Sequence, residues 1–179
     1  MIQTKKFSDL SDPDQHLIES ARGASMHAYS PYSGFAVGAA ARTKSGKIFT
    51  GANLENASYG VGMCAEVDAI TKANSAPDYD IEAIAIVGHK FSGQKDATQV
   101  VTPCGRCRQL IFEASQIAKT DIKVFSCSGD LEKVREALIS ELLPEAFGPK
   151  NLGLENVWPQ MRDDLIRRVT ELQHAGPKV

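Results

Sequence analysis

Met63-Cys64-Ala65-Glu66 and Pro103-Cys104-Gly105-Arg106-Cys107 constrain this chain more than any other stretch. A fold that uses both must carry them on separate elements and bring their sulfurs to one point. Cys104 and Cys107 lie three residues apart. At the start of a helix, that spacing turns both side chains to one side, and Pro103 just ahead suits a helix start. The free N–H groups and partial positive charge of a helix N-terminus stabilise thiolates. Cys64 is expected at the start of a second helix, so that two helix ends face one metal ion.

The donor set indicates which metal. Three cysteines at this spacing suit zinc, and a purely structural zinc normally takes four protein ligands. The four histidines, His16, His27, His89 and His174, are scattered, and each is better read as an ordinary surface or core residue. A fourth position open to water follows, and zinc makes such a water acidic near neutral pH. Glu66, two residues after Cys64, leans back toward the metal from the first helical turn and is the candidate proton carrier. A bland alternative is a glutamate that only complements the helix dipole. Asp68 points away from the metal side and is read as structural or exposed. Zinc-dependent hydrolytic deamination is the reaction class this arrangement suggests.

Composition narrows the partners. The net charge of -2 lacks the basic surface that grips a nucleic-acid backbone, which argues against long RNA or DNA. No apolar run reaches membrane-spanning length. Met1 to Asp12 lacks the apolar stretch of a signal peptide, so a cytoplasmic location is the expectation. In such a compartment four cysteines favour metal or catalysis over disulfides. Cys127, in Val124-Phe125-Ser126-Cys127, reads as a buried strand end.

The pattern of elements is α/β. Asp12-Pro13 marks the start of a helix over about 13–29. Residues 37–43 and 47–53 flank Lys44-Ser45-Gly46 as a hairpin. Helices are expected over 64–75 and 104–118, and strands over 81–88 and 122–127. Residues 131–142 are ambiguous. Leu131, Val134, Leu138 and Leu142 have helical spacing, while Ser128-Gly129-Asp130 suits a turn into a strand. A last amphipathic helix over 157–173 carries Val157, Met161, Leu165, Val169 and Leu172 in one stripe, read as a packing face. The alternation predicts a three-layer α/β/α sandwich around one central mixed sheet of about five strands. Residues 1–153 form the expected catalytic domain and 154–179 a helical extension.

Beyond the cysteines, three further segments carry a resemblance. Tyr32-Ser33-Gly34-Phe35-Ala36-Val37-Gly38-Ala39-Ala40, Gly51-Ala52-Asn53-Leu54-Glu55-Asn56-Ala57-Ser58-Tyr59-Gly60 and Leu142-Leu143-Pro144-Glu145-Ala146-Phe147-Gly148-Pro149 resemble the signatures of small, homo-oligomeric cytidine deaminases, in that family's order. The similarity spans roughly residues 15–153. It implies Cys64, Cys104 and Cys107 as ligands of one zinc ion per subunit, with Glu66 as the proton shuttle. It implies Asn53 and Glu55 on the ribose hydroxyls, Phe35 against the nucleoside and the Ala65 backbone at the polar edge of the pyrimidine. It also implies that Phe147 covers the base in a neighbouring subunit. The implied assembly is a homo-oligomer, with a tetramer favoured and a dimer as the alternative.

One position departs from the family, which usually has arginine directly after the catalytic glutamate. Here that residue is Val67. Three thiolates on a divalent ion leave a net negative centre, and Arg106 is the candidate for charge compensation or for substrate contact. Val67 and Arg106 both resemble blasticidin S deaminases. The expected reaction is deamination of cytidine and deoxycytidine. The rivals are a deaminase of modified cytosine nucleosides and, from another class, a zinc-stabilised binding module without chemistry, which requires a fourth protein ligand.

Overall fold

Ile81-Glu82-Ala83-Ile84-Ala85-Ile86-Val87-Gly88 is apolar almost throughout, the composition of a strand covered on both faces. It forms the middle of the sheet in the computed structural model, which describes residues 2–92 and 98–175. The elements run β1 (Gln3–Lys5), α1 (Asp12–Ser25), β2 (Phe35–Thr43), β3 (Ile48–Ala52), α2 (Ala65–Ser75) and β4 (Ile81–Lys90). They continue through α3 (Gly105–Ala118), β5 (Lys123–Ser128), β6 (Val134–Leu138), α4 (Ile139–Leu142) and α5 (Val157–His174). The chain divides into two compact units, Met1–Ala146 and Phe147–Val179. The second holds a short 3-10 turn, Pro149–Leu152, and α5, whose stripe residues Met161, Leu165 and Val169 are exposed.

The sheet has six strands in the order β1-β6-β5-β4-β2-β3, one more than expected. The additional strand, β1, is three polar residues long and carries no apolar alternation. Its place is set by pairing with β6, Gln3 opposite Glu136 and Lys5 opposite Val134, and by Lys5 Nζ donating to Glu136 Oε2 at 2.7 Å. β4 and β5 are parallel and the other neighbouring pairs antiparallel, so the sheet is mixed as predicted. The parallel pair requires a crossover, and α3 lies within it.

Alternation along β4 builds two cores. Ile84 and Ile86 join Ala65, Ala69 and Ala73 of α2 and Ile111 and Ala114 of α3 on one face. Ala83, Ala85 and Val87 join Leu17, Ile18 and Ala21 of α1 on the other. The result is three layers, α/β/α. Two glycines set how closely helices approach. A Cβ at Gly38 would collide with the backbone of Ala21 and Ser25, and one at Gly51 with the Ala65 carbonyl and, at 2.5 Å, the Ala69 nitrogen. Small residues along β2 and β3 therefore let α1 and α2 rest on the sheet backbone itself. For α2 this fixes the height of its N-terminus, where Cys64 and Glu66 lie.

The ambiguous stretch 131–142 resolves into β6 followed by the short α4. A side-chain-closed turn decides it. Ser128 Oγ donates to Asp130 Oδ1 at 2.6 Å, Asp130 Oδ1 accepts from Glu132 N–H, and Ser128 Oγ accepts from Lys133 N–H. This reverses the chain onto β5, and strand pairing overrides the helical spacing. α1 is shorter than expected, ending at Ser25, and Ser11 rather than Asp12 stands at its cap with extended backbone. No helix among the described residues is long and apolar enough to cross a membrane.

Arg42 ties the hairpin to α1. Its guanidinium donates to Asp14 Oδ1 at 2.8 Å, to Glu82 Oε1 at 2.6 Å and to the Pro13 carbonyl at 2.8 Å. Burial raises the Asp14 pKa, but hydrogen bonds from Arg42 and Ser11 and the charge of Lys123 outweigh it, so the net shift is below the ordinary 3.8. A lowered carboxyl contributes stability that is complete above that ordinary value and lost as pH falls through the folded one. Arg42→Met is expected to cost about 2 kcal/mol at neutral pH, because it strands one buried and one half-exposed carboxylate. Urea unfolding should show the gap between the parent and Arg42→Met closing as pH falls below the ordinary carboxylate range, through the lowered Asp14 titration.

Candidate active site

Two helix N-termini converge at one end of the sheet. Cys64 precedes α2 with extended backbone (φ -76°, ψ 152°), and Cys104 precedes α3 in the same way (φ -69°, ψ 170°). Neither cap residue spends its side chain on the helix N–H groups. Cys107, one turn into α3, is fully buried. Arg108 fastens the loop ahead of α3, donating from Nε to the Pro103 carbonyl at 2.9 Å and from Nη1 to the Leu142 carbonyl at 3.0 Å.

The sulfurs of Cys64, Cys104 and Cys107 all lie within 4.8 Å of one another. Their protonation shows what such a trio needs. A hydrogen bond from Cys107 is the largest influence on Cys64. With one from Cys104 and the charge of Arg106, it outweighs burial and brings that thiol down to about 6. The same pairing raises Cys107, and burial and the Glu66 charge raise it further. Once one thiolate has formed, its neighbour holds its proton. Only a cation lets all three sulfurs ionise together, and a thiolate trio between two positive helix ends fits zinc. No histidine or carboxylate joins this group among the described residues.

Glu66 is 4% exposed. Burial is the main cause of its raised pKa, and the charge on Cys64 adds to it. A carboxyl lifted in this way exchanges a proton more readily near neutral pH. Asp68 faces elsewhere: its Oδ2 accepts from the Ala52 N–H at 3.2 Å and from Lys72 Nζ at 2.9 Å, pinning α2 to β3.

A cleft of about 440 Å³ opens beside the cysteines. Cys64, Ala65, Glu66, Cys104 and Arg106 line one end, with Asn53 and Glu55 also on its wall. The Asn53 side chain is tied to β2, its Oδ1 accepting from the Val37 N–H at 2.8 Å and its Nδ2 donating to the Phe35 carbonyl at 3.0 Å. One amide hydrogen stays unused by these bonds. Glu55 Oε2 accepts from the N–H groups of Tyr32 and Ser33, and Oε1 accepts from Ser33 Oγ at 2.5 Å. The Ser33 hydroxyl is the main reason the Glu55 pKa is lowered.

Arg106 Nη1 reaches toward the Gly62 carbonyl at 3.5 Å and carries the charge felt by Cys64. Phe35 is not among the cleft residues; its ring lies against the open face of Gly88, beside Val101. Phe147 begins the second unit and is 60% exposed. Val101, Thr102 and Tyr59 also line the cleft; no motif marks Val101 and Thr102, and Tyr59 lies within a family-like segment without being singled out there. They reach it because Val101 pairs with Cys127 at the end of β5, its N–H donating to the Cys127 carbonyl at 3.2 Å, and because Tyr59 sits on a 3-10 turn, Tyr59–Val61.

Replacing any one sulfur removes a third of the donor set. Elemental analysis of purified protein is expected to find about one zinc per chain in the parent. Cys64→Ala, Cys104→Ala and Cys107→Ala should each hold about a tenth of that or less.

Known proteins share this arrangement. Residues 11–123 match the family described as the cytidine and deoxycytidylate deaminase zinc-binding region. A cytidine deaminase from Halalkalibacterium halodurans is 42% identical over 141 residues, spanning 78% of this chain and 97% of that protein. A blasticidin-S deaminase from Bacillus cereus is 35% identical over 140 residues, spanning 78% of this chain and 95% of that one. The crystal structure of cytidine deaminase from Burkholderia pseudomallei superposes with a TM-score of 0.65 at 38% identity, covering 77% of this chain and all of that one. With its three-cysteine centre, its buried glutamate and the match across most of its length, the chain belongs to the cytidine and deoxycytidylate deaminase family of zinc enzymes.

Proposed function

We propose that this protein removes the 4-amino group of cytidine and deoxycytidine by hydrolysis, giving uridine or deoxyuridine and ammonia, as a cytoplasmic step of pyrimidine salvage. The observation that carries this reading is one cleft lined by Glu66, Cys64 and Cys104, with Cys107 buried beside them, and by Asn53 and Glu55, whose polar side chains suit hydroxyls. Zinc held by Cys64, Cys104 and Cys107 supplies Lewis-acid activation of water. Glu66, buried and biased toward its protonated form, is placed to pass one proton of the attacking water to the ring nitrogen, where it stays in the product, and the second to the departing amine. The water oxygen adds at ring carbon 4, the carbon–nitrogen bond breaks as the amine gains its proton, and ammonia leaves while the oxygen remains as the carbonyl.

The Ala65 backbone, at the start of α2 on the cleft wall, meets the polar edge of the pyrimidine. Asn53 and Glu55 orient the sugar. Arg106 offsets the surplus negative charge of the thiolates, a role left vacant by Val67. Phe147 completes the pocket from a neighbouring subunit, and Phe35 packs behind its wall, on Gly88 and beside Val101. The apolar residues exposed about the cleft, Tyr59 at 83% and Val61 at 64%, support a homo-oligomer, for which a tetramer is the favoured form.

A free nucleoside suits the cleft better than a nucleotide. Arg106 is the only basic side chain among the cleft's described lining residues, and it stands beside the cysteines. A 5′-phosphate would instead meet the Glu55 end, which is anionic. A second reading, deamination of bulkier modified cytosine nucleosides, is favoured by Val67 and Arg106 in place of the usual residues. A substrate panel separates the two, and faster turnover of blasticidin S than of cytidine would select the second.

Glu66→Gln is expected to lower kcat for ammonia release from cytidine by about 10²–10⁴-fold while leaving the zinc content unchanged. Unchanged turnover in that variant would remove Glu66 from the chemistry.

A further inference from the structure

Glu55 is held from a direction the cysteine motifs do not indicate. Tyr29 and Leu54 form an isolated parallel bridge, with the Tyr29 N–H donating to the Asn53 carbonyl at 3.0 Å and the Glu55 N–H to the Tyr29 carbonyl at 2.7 Å. This registers the segment carrying Glu55 against the start of the turn Ser30–Gly34. The Gly34 N–H closes that turn on the Ser30 carbonyl at 3.0 Å, and the Gly34 carbonyl accepts from the Phe91 N–H at 2.9 Å. Gly34 takes a left-handed backbone (φ +63°), which glycine adopts without penalty. The turn is braced at both ends.

Its interior points three donors at one carboxylate. The N–H groups of Tyr32 and Ser33 reach Glu55 Oε2 at 2.9 and 3.2 Å, and Ser33 Oγ reaches Oε1 at 2.5 Å. Ser33 Oγ also accepts from the Phe35 N–H at 3.1 Å. The hydroxyl has a single hydrogen, and the Phe35 contact fixes its oxygen as acceptor, so that hydrogen goes to Glu55. A carboxylate offers about four acceptor positions, and three are filled. The one left, on Oε1, is available to a hydroxyl arriving in the cleft.

We propose that Ser33 is a positioning residue for substrate binding, orienting the Glu55 carboxylate so that its remaining acceptor site meets a sugar hydroxyl. Ser33 touches no reacting atom. It acts on affinity through Glu55 and leaves the chemistry at Glu66 alone. This rests on the nucleoside reading given above.

The test has two arms. In the first, the Glu55 side-chain carboxyl is titrated by carbon-13 NMR in the parent, Ser33→Ala and Ser33→Thr. The parent value should lie below the ordinary carboxylate range, Ser33→Ala should move it back toward that range, and Ser33→Thr should keep it low. An unchanged titration in Ser33→Ala overturns the proposal whatever the substrate is.

In the second arm, kcat and KM for cytidine are measured in Ser33→Ala, Glu55→Ala and the double variant. Ser33→Ala should raise KM about tenfold with kcat within about twofold, and Ser33→Thr should restore KM. Ser33→Ala should add nothing in the Glu55→Ala background. Additive losses, or a fall in kcat at constant KM, would make Ser33 a turn-building residue only. If the zinc-loaded parent releases no ammonia from any cytosine nucleoside, the nucleoside reading fails. The titration then still decides whether Ser33 sets the Glu55 carboxylate.

Discussion

Three sulfurs are brought within 4.8 Å of one another at the meeting point of two helix N-termini, too close for all of them to carry negative charge unaided. Neither the helix ends nor Arg106 alone offsets that density, as the opposed shifts of Cys64 and Cys107 make clear. A divalent ion resolves the conflict, and the fold is arranged to present it with a prepared cradle. α2 and α3 have to start at the same height above the sheet. For α2, Gly51 sets this by admitting its backbone directly onto β3. For α3, the Arg108 bonds to the Pro103 and Leu142 carbonyls hold the entering loop. Charge at the centre and close backbone packing beneath it are parts of one design.

The same charge shapes Glu66. Its carboxyl lies in a buried pocket beside Cys64, and both burial and the neighbouring negative charge favour the protonated form. Glu55, also on the cleft wall, is in the opposite condition, solvent-facing and hydrogen-bonded into its anionic form. One cleft thus holds two carboxyls driven apart in proton affinity by their surroundings, the pattern that separates a proton-moving group from a ligand-binding one.

How far the sequence revealed this depends on what each segment asks of its neighbours. The cysteine spacing, the Lys44-Ser45-Gly46 hairpin and the apolar β4 are local patterns and stand in the structure at the expected residues. β1 is invisible locally because three polar residues become a strand only through β6. The stretch 131–142 misleads because its leucines repeat with helical spacing, while Ser128 and Asp130 close a turn whose strength lies in side-chain bonds across five residues. The hairpin strand expected over 47–53 includes Asn53, and Glu55 follows two residues later. They stand just past β3, flanking Leu54, and owe their directions to Val37, Phe35 and the Tyr32-Ser33 turn. Val101 and Thr102 could be found only from the fold, since Val101 reaches the cleft through its bond to Cys127 of β5, while Tyr59, inside a family-like segment, reaches it on a 3-10 turn.

These differences separate the site into two halves with different tolerance for change. The metal half is built on helix starts packed against the sheet backbone, where a single added methyl at Gly51 has nowhere to go. Such a structure fixes the chemistry and leaves little room to vary it. The half proposed to hold the sugar hangs on turns, Ser30–Gly34 and the segment from Asn53 to Gly62, joined by backbone bonds between loops. Loops admit substitution more readily than packed helix ends. Arg106 stands where the two halves meet, on the first turn of α3 yet facing the Gly62 carbonyl of the other side. On the proposed function, a change in preferred nucleoside has its easiest route through the turns and Arg106, while the cysteine trio and Glu66 keep the reaction constant.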